Sequence, residues 1–357
     1  MASINDLPRN IHCCLHSGSH VQGITFDKEH KYVYISFTTI LVKADMEGNI
    51  IGSVNGITGH LGCIDFNDDD GKVYGSIEYK HDSIGKGIIK NIGASLADED
   101  AFYIAIFDVD KIDRPDMDAE KDGVMKAVYL PDVLDDYAAE LEGGLLHRYC
   151  CSGIDGTAIG PVPGAPEGSP SMLFVAYGIY RDLERKDNDC QVILQYDWRK
   201  FSEAAKPLSQ LAPHHSGLPA DERYFLYTGN TTYGIQNLEY DAFTGDYFAA
   251  VYVGKKPEFP NYSMYVIDGK AAPVCGEIPG LGGEVGKLLS LKKAGLYHEE
   301  SGIYGYNFPH GDTGIYSLGD GHFYISHHGR PEPGVYLTDI KLYKYNGESD
   351  GPFELVD

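Results

Sequence analysis

The chain has 357 residues, 43% of them hydrophobic and 23% charged, with 29 Lys and Arg set against 53 Asp and Glu for a net charge of −24. Such a field repels phosphate backbones and anionic lipid, so neither nucleic acid nor a membrane surface is an expected partner. No stretch approaches the length of a membrane span, and no apolar leader follows the polar residues 1–9, so a cytoplasmic protein is expected.

In chain order, residues 11–15 read as a short strand. Residues 21–54 read as four more, joined by tight turns. The first, 21–26, is apolar around Gly23. In the second, 32–37, Tyr32, Tyr34 and Ser36 alternate with Val33, Ile35 and Phe37. The third, 41–44, is closed by Asp45, and the fourth is 50–54. Four antiparallel strands in one run form a meander. One such sheet cannot bury both faces, so the pattern should return, and it does. A Gly-Ile or near equivalent opens each copy: Gly23-Ile24, Cys63-Ile64, Gly153-Ile154, Gly234-Ile235 and Gly314-Ile315. Second strands follow at 73–79, 172–179, 247–253 and 323–326. Third strands, each closed by Asp or Asn, fall at 103–107, 192–196, 264–267 and 340–345. Fourth strands are weaker: 126–130, one near Phe201, 274–278 and 353–356.

Helical periodicity is confined to spacers, at 132–141 and 202–211. The segment 160–171 is Pro/Gly-rich and reads as an exposed loop. The acidic stretch 67–71 lacks the ligand spacing and terminal Glu of an EF-hand and reads as a solvated turn, and 108–123 reads as an acidic surface loop, with a structural ion there as the alternative. The seven Cys form no orderly framework, with adjacent pairs at Cys13-Cys14 and Cys150-Cys151 and no C-x-x-C. They read as reduced thiols, with Cys13, Cys14, Cys63, Cys190 and Cys275 as small core residues. Nothing marks the Cys151 thiol as an activated nucleophile.

Five copies of a four-stranded meander resemble an all-β, five-bladed β-propeller over residues 1–357, with segment 1–20 closing the last blade. The alternating run 287–291 supplies an extra strand and leaves six blades as the alternative. The resemblance is one of fold alone.

Up-and-down connection then places the candidate site. Segments entering first strands share one face with the loops joining second to third strands. Those loops are long in four copies (80–101, 181–189, 254–262 and 329–339), and long loops on a rigid scaffold are where function concentrates. This upper face should gather residues far apart in sequence into one funnel. His20 and His60 each stand four residues before their Ile, and His310 stands five before Ile315. A metal centre of His20, His60, His310 and His327 would hold one divalent ion (Zn, Fe, Mn or Ca) and activate water; no nucleotide cofactor is expected. Without metal, His310 with Asp312, or His81 with Glu78, would transfer protons. Arg181, Arg330 and Lys255 would hold substrate anions, and Tyr177, Tyr233 and Tyr252 would stack on sugar faces. The expected function is an enzyme acting on a small polar metabolite, a sugar or sugar acid, as hydrolase, lactonase, lyase or isomerase. The alternative is a non-catalytic carbohydrate- or peptide-binding propeller.

Overall fold

A computed structural model describes the chain over residues 4–16 and 19–357. Five antiparallel sheets circle a common axis. Blade one is Val21–Phe26, Tyr32–Phe37, Ile40–Asp45 and Ile50–Asn55, and blade two is His60–Asn67, Lys72–Tyr79, Ala101–Phe107 and Met125–Tyr129. Blade three is Cys151–Gly160, Met172–Ile179, Cys190–Tyr196 and Glu222–Tyr227. Blade four is Thr232–Asp241, Asp246–Tyr252 and Met264–Ile267. Blade five is Ile315–Ser317, His322–Gly329 and Tyr336–Tyr345. The first strand of each blade touches the first strands of the next and the previous blade, and the fifth returns to the first.

Local chemistry explains the strand ends. The acid closing the third strand accepts a hydrogen bond from the backbone N–H two residues on: Asp45 from Glu47 (3.0 Å), Asp197 from Arg199 (3.2 Å), Asp268 from Lys270 (3.0 Å) and Asn346 from Glu348 (2.9 Å). The same Asx turn therefore ends the third strand in four blades. The Gly of Gly-Ile serves a different need. A Cβ on Gly23 would lie 3.0 Å from Cys63 Cα and from Ile64 N, so the inner strands approach too closely there for a side chain.

The hydrophobic residues form five separate cores, one between each pair of adjacent blades, which settles the blade count. Large side chains such as Phe26, Phe37, Tyr103 and Tyr265 are completely enclosed in them, each contributing about 1.5–3 kcal/mol. Asn10–Leu15 pairs antiparallel with Tyr336–Tyr345 in blade five, beside Phe353–Leu355 on the same strand.

Several spacers differ from the sequence reading. The fourth strand of blade three is Glu222–Tyr227; Phe201 instead begins a short helical turn. Val274–Glu277 and Val285–Leu289 add two further strands outside blade three, so the extra strand extends an existing sheet and makes no sixth blade. In blade four, bridges from Met264 to Tyr306 and from Ile267 to Leu291 stand where a fourth strand would. Helix α1, Ser83–Ile92, occupies the loop after the second strand of blade two; Asp82 caps it by accepting from Ile84 N and Gly85 N. Helix α2, Pro131–Tyr137, falls in the expected spacer. The acidic loop 108–123 is held by its own ion pairs, Lys111–Asp108, Arg114–Asp122 and Lys121–Asp118. All seven Cys are free thiols, but Cys275 is exposed and Cys14 half-buried, not core. Among the described residues no helix is long and apolar enough to cross a membrane.

Carboxylates stitch the lower end of the axis. Asp65 of blade two accepts from Thr25 Oγ1 of blade one (3.3 Å) and from Ile159 N of blade three (2.6 Å). Glu239 of blade four accepts from Ser317 N of blade five (2.7 Å), and Asp241 from Ser317 Oγ (2.6 Å). Burial raises the proton affinity of both Asp65 and Glu239, and Asp65 raises that of Glu239 further.

Candidate functional site

The upper end of the axis opens into a cavity of about 220 Å³. Its geometry follows from bulges in the inner strands. The pairing of first to second strand shifts register beside Gly-Ile in blades one to four. Blades three and four carry a second irregularity, at Asp155-Gly156 and at Gln236. A bulge redirects the side chain of its extra residue, and Asp155 and Gln236 both line the cavity.

Blade two supplies the charged wall. Glu78 stands opposite His60 in the register. Its Oε2 accepts from Ile154 N at 3.0 Å and its Oε1 lies 2.6 Å from Lys80 Nζ. Lys80 also donates to Ser152 O and has Asp82 at 3.6 Å. Both members of this ion pair are buried, Lys80 at 3% and Glu78 at 4% exposure. Gly153 makes the room: at φ 121° it adopts a conformation closed to most residues, and a Cβ there would strike the Glu78 carboxylate. Burial drives the Glu78 proton affinity up against the opposing pull of Lys80.

Two further residues carry perturbed acidity and one unbonded buried atom each, although the Asp155 carboxyl also meets the Cys63 backbone and the Gln236 side chain. Asp155 is buried with Oδ1 unbonded; burial first, and then the Glu78 charge, raise its pKa well above the carboxylate range. Both effects favour the protonated carboxyl. The imidazole of His60 is pushed down to about 3 by burial and by the Lys80 charge, so it is neutral. Its Nδ1 sits 3.7 Å from Glu78 Oε1 without a hydrogen bond, and a neutral ring at that distance makes no ion pair. His20, by contrast, is satisfied. Its Nδ1 donates to Val21 O at 2.9 Å, which leaves Nε2 to accept from Gln22 Nε2 at 3.3 Å.

The sequence-derived site divides in two. His20, His60, Glu78, Tyr233 and Tyr252 line the axial cavity. Arg181, Lys255, His310, Asp312 and again Tyr252 line a neighbouring cleft of about 380 Å³. The four histidines proposed as metal ligands do not converge. His310 stacks on His327 with ring centroids 3.6 Å apart, and His327 Nε2 meets Tyr343 OH at 2.8 Å. Among the described residues, no three of His, Cys, Asp and Glu are placed to hold an ion.

The proposed proton-transfer pairs are also separate. His81 pairs with Asp100 (2.9 Å), while Glu78 takes Lys80. The ring that acts on the Asp312 carboxyl is His328, not His310. Arg330 lies over the Tyr336 ring, 5.2 Å from its centroid, outside both spaces. Tyr177 is enclosed between blades two and three and donates to Asp136 Oδ2 at 2.7 Å, so it meets no ligand. Tyr177→Phe should lower the unfolding free energy by about 1–3 kcal/mol in urea titration, because it removes a buried hydrogen bond to a carboxylate that is left with Arg223 alone on that oxygen (2.7 Å). Ligand affinity should stay unchanged.

Lys80, at the end of the second strand of blade two where the sequence places the funnel, lines the axial cavity; Asp155, Gln236 and Ser152 line it too and were absent from the sequence-derived site. The Asp following Ile154 was visible, since Ile64 is followed by Asp65 in the same way, but the two carboxylates end at opposite ends of the axis.

No family model and no curated protein sequence matches the chain. Solved structures with similarity include the holo PQQ domain of pyranose dehydrogenase from Coprinopsis cinerea, 10% identical over 89% of this chain and 81% of that one, with a TM-score of 0.39. The β-propeller domain of Cps50 (Swd1) from Myceliophteria thermophila is 10% identical, covers 92% and 98%, and has a TM-score of 0.32. A calcium structure of a carbohydrate-active family AA12 enzyme from Trichoderma reesei is 7% identical, covers 89% and 80%, and has a TM-score of 0.41. All three are distant, and none informs the chemistry of the cavity.

Proposed function

We propose that the chain is an enzyme acting on a small polar metabolite, a sugar or sugar acid, by acid–base chemistry in the axial cavity. The supporting observation is a pair of buried atoms without hydrogen-bond partners, Asp155 Oδ1 and His60 Nδ1, on two residues that line one open space. Buried polar atoms are normally bonded, so their exceptions mark places where something else binds. Their environments also push the two groups apart. Asp155 holds a proton that it can donate, and His60 is unprotonated and can accept one. On this reading Asp155 protonates a leaving or carbonyl oxygen while His60 takes a proton from water or from carbon. Gln236 and Tyr252 orient the hydroxyls. The Glu78–Lys80 pair fixes the wall, and after burial its Glu78 charge is the next influence raising the Asp155 proton affinity. Hydrolysis, lactone opening, elimination and isomerisation all require this donor–acceptor arrangement.

A panel of hexoses, aldonolactones and uronic acids, screened first by thermal shift and then by NMR for turnover, tests this. Asp155→Asn should cut kcat about 10²–10⁴-fold with little change in KM, and His60→Gln should do likewise. Asp155→Asn retaining the full rate would sink the assignment. The Tyr233 and Tyr252 rings in the cavity wall support a second reading, a non-catalytic carbohydrate-binding propeller. There, Tyr252→Ala weakens binding and no panel member is ever converted.

A further inference from the structure

The cleft beside the axial cavity has no role in the chemistry above, yet the two spaces share Tyr252 as a wall. Its cations are unusual. Arg181 leaves the second strand of blade three and Lys255 that of blade four, and both side chains are exposed. Each has a neighbour on its own loop with a structural task. Arg185 is tied to Asp187 and to Leu146 O and His147 O; Lys256 is enclosed and bonded to Asp189 and Asn188. Arg181 and Lys255 make no hydrogen bond or ion pair with any described residue. In a chain with 53 acids and 29 bases, two cations facing one cleft without an acidic partner invite a ligand to supply the charge. The one acid of the cleft, Asp312, has its proton affinity raised by burial, and burial lowers that of the stacked His310.

We propose that this cleft is an anion subsite, in which Arg181 and Lys255 hold the carboxylate or phosphate of a metabolite whose hydroxylated body occupies the axial cavity. A guanidinium fork and a mobile ammonium suit either group. The proposal rests on the axial cavity being the substrate site, and it narrows the substrate to an acidic one. It also accounts for how an anion enters a molecule of charge −24: the overall field is screened within about 8–10 Å, and the two cations dominate inside that distance.

The test is titration calorimetry with three probes, glucuronate, glucose 6-phosphate and glucose, against the wild-type chain and the Arg181→Gln/Lys255→Gln double variant. Both positions are exposed, so the variant should fold as the wild type does. Binding of at least one anionic probe should weaken tenfold or more in the double variant and fall with added salt, while glucose binding stays the same. Glucuronate and glucose 6-phosphate separate a carboxylate from a phosphate preference. Equal binding of the anions by both proteins, equal loss of glucose binding, or no anion binding by the wild type would each overturn the subsite. Asp155→Asn, run in parallel, should bind the anions normally. If the subsite result holds while no substrate is turned over, the anion site stands and the catalytic reading fails; if turnover is Asp155-dependent but indifferent to the double variant, the reverse follows.

Discussion

Lys80→Met is expected to lower the unfolding free energy by about 3–5 kcal/mol, because it leaves the Glu78 carboxylate in the cavity wall without its countercharge. The loss extends beyond one ion pair. Lys80 Nζ also donates to Ser152 O of blade three, and Glu78 accepts from Ile154 N of the same blade, so the pair is the main polar bond between two blades at the upper end of the axis. The double variant Glu78→Gln/Lys80→Met should recover much of the deficit, since no buried charge is then left alone. Urea titration of the three proteins checks this. A single variant as stable as the wild type would mean that Glu78 is already protonated there.

The second large effect is a pH dependence that begins at the opposite end of the axis. Asp65 is surrounded by Thr25, Ile159 N, its own Phe66 N, Asp68 and Glu239, and burial lifts its pKa to about 7. In the unfolded chain an Asp titrates near 4. Between those values the folded protein holds a proton that the unfolded chain has released, so stability falls as pH rises. The contribution is fully present below about pH 4 and lost as pH passes through about 7, on the order of 4 kcal/mol in all. Asp65→Asn should flatten this part of the curve of unfolding midpoint against pH. An unchanged slope in the variant would assign the dependence elsewhere. Burial, and then the Asp65 charge, also raise the Glu239 proton affinity.

What the sequence disclosed depended on how local each signal was. The Asp or Asn closing the third strand in four blades was legible because its hydrogen bond spans two residues. Gly-Ile was legible because in four blades the neighbouring blade leaves no room for a side chain at that Gly. The outer strands were not. The fourth strand of blade three begins 26 residues after the third ends, and Val274–Glu277 leaves blade four to join blade three, so adjacency in the chain misled. Helix α1 was hidden by Gly85 and Gly87 in its interior, although Asp82 and Gly93 cap it in the ordinary way. In the site, counting back from Ile placed His20 and His60 correctly and set His310 one step away, and His310 does fall in the neighbouring cleft. Asp155 and Gln236 escaped because a bulge leaves no mark in residue spacing. It decides which way a side chain points only once two strands are paired.

The strand Asn10–Leu15 has one more consequence, for synthesis. Its partner, Tyr336–Tyr345, leaves the ribosome more than 300 residues later. At about 5–20 residues per second that is a delay of roughly 16–65 seconds. Through that interval the growing chain carries an arc of sheets whose outermost backbone groups at both ends are unpaired, so nascent chains are most prone to pair with one another just before the ring shuts.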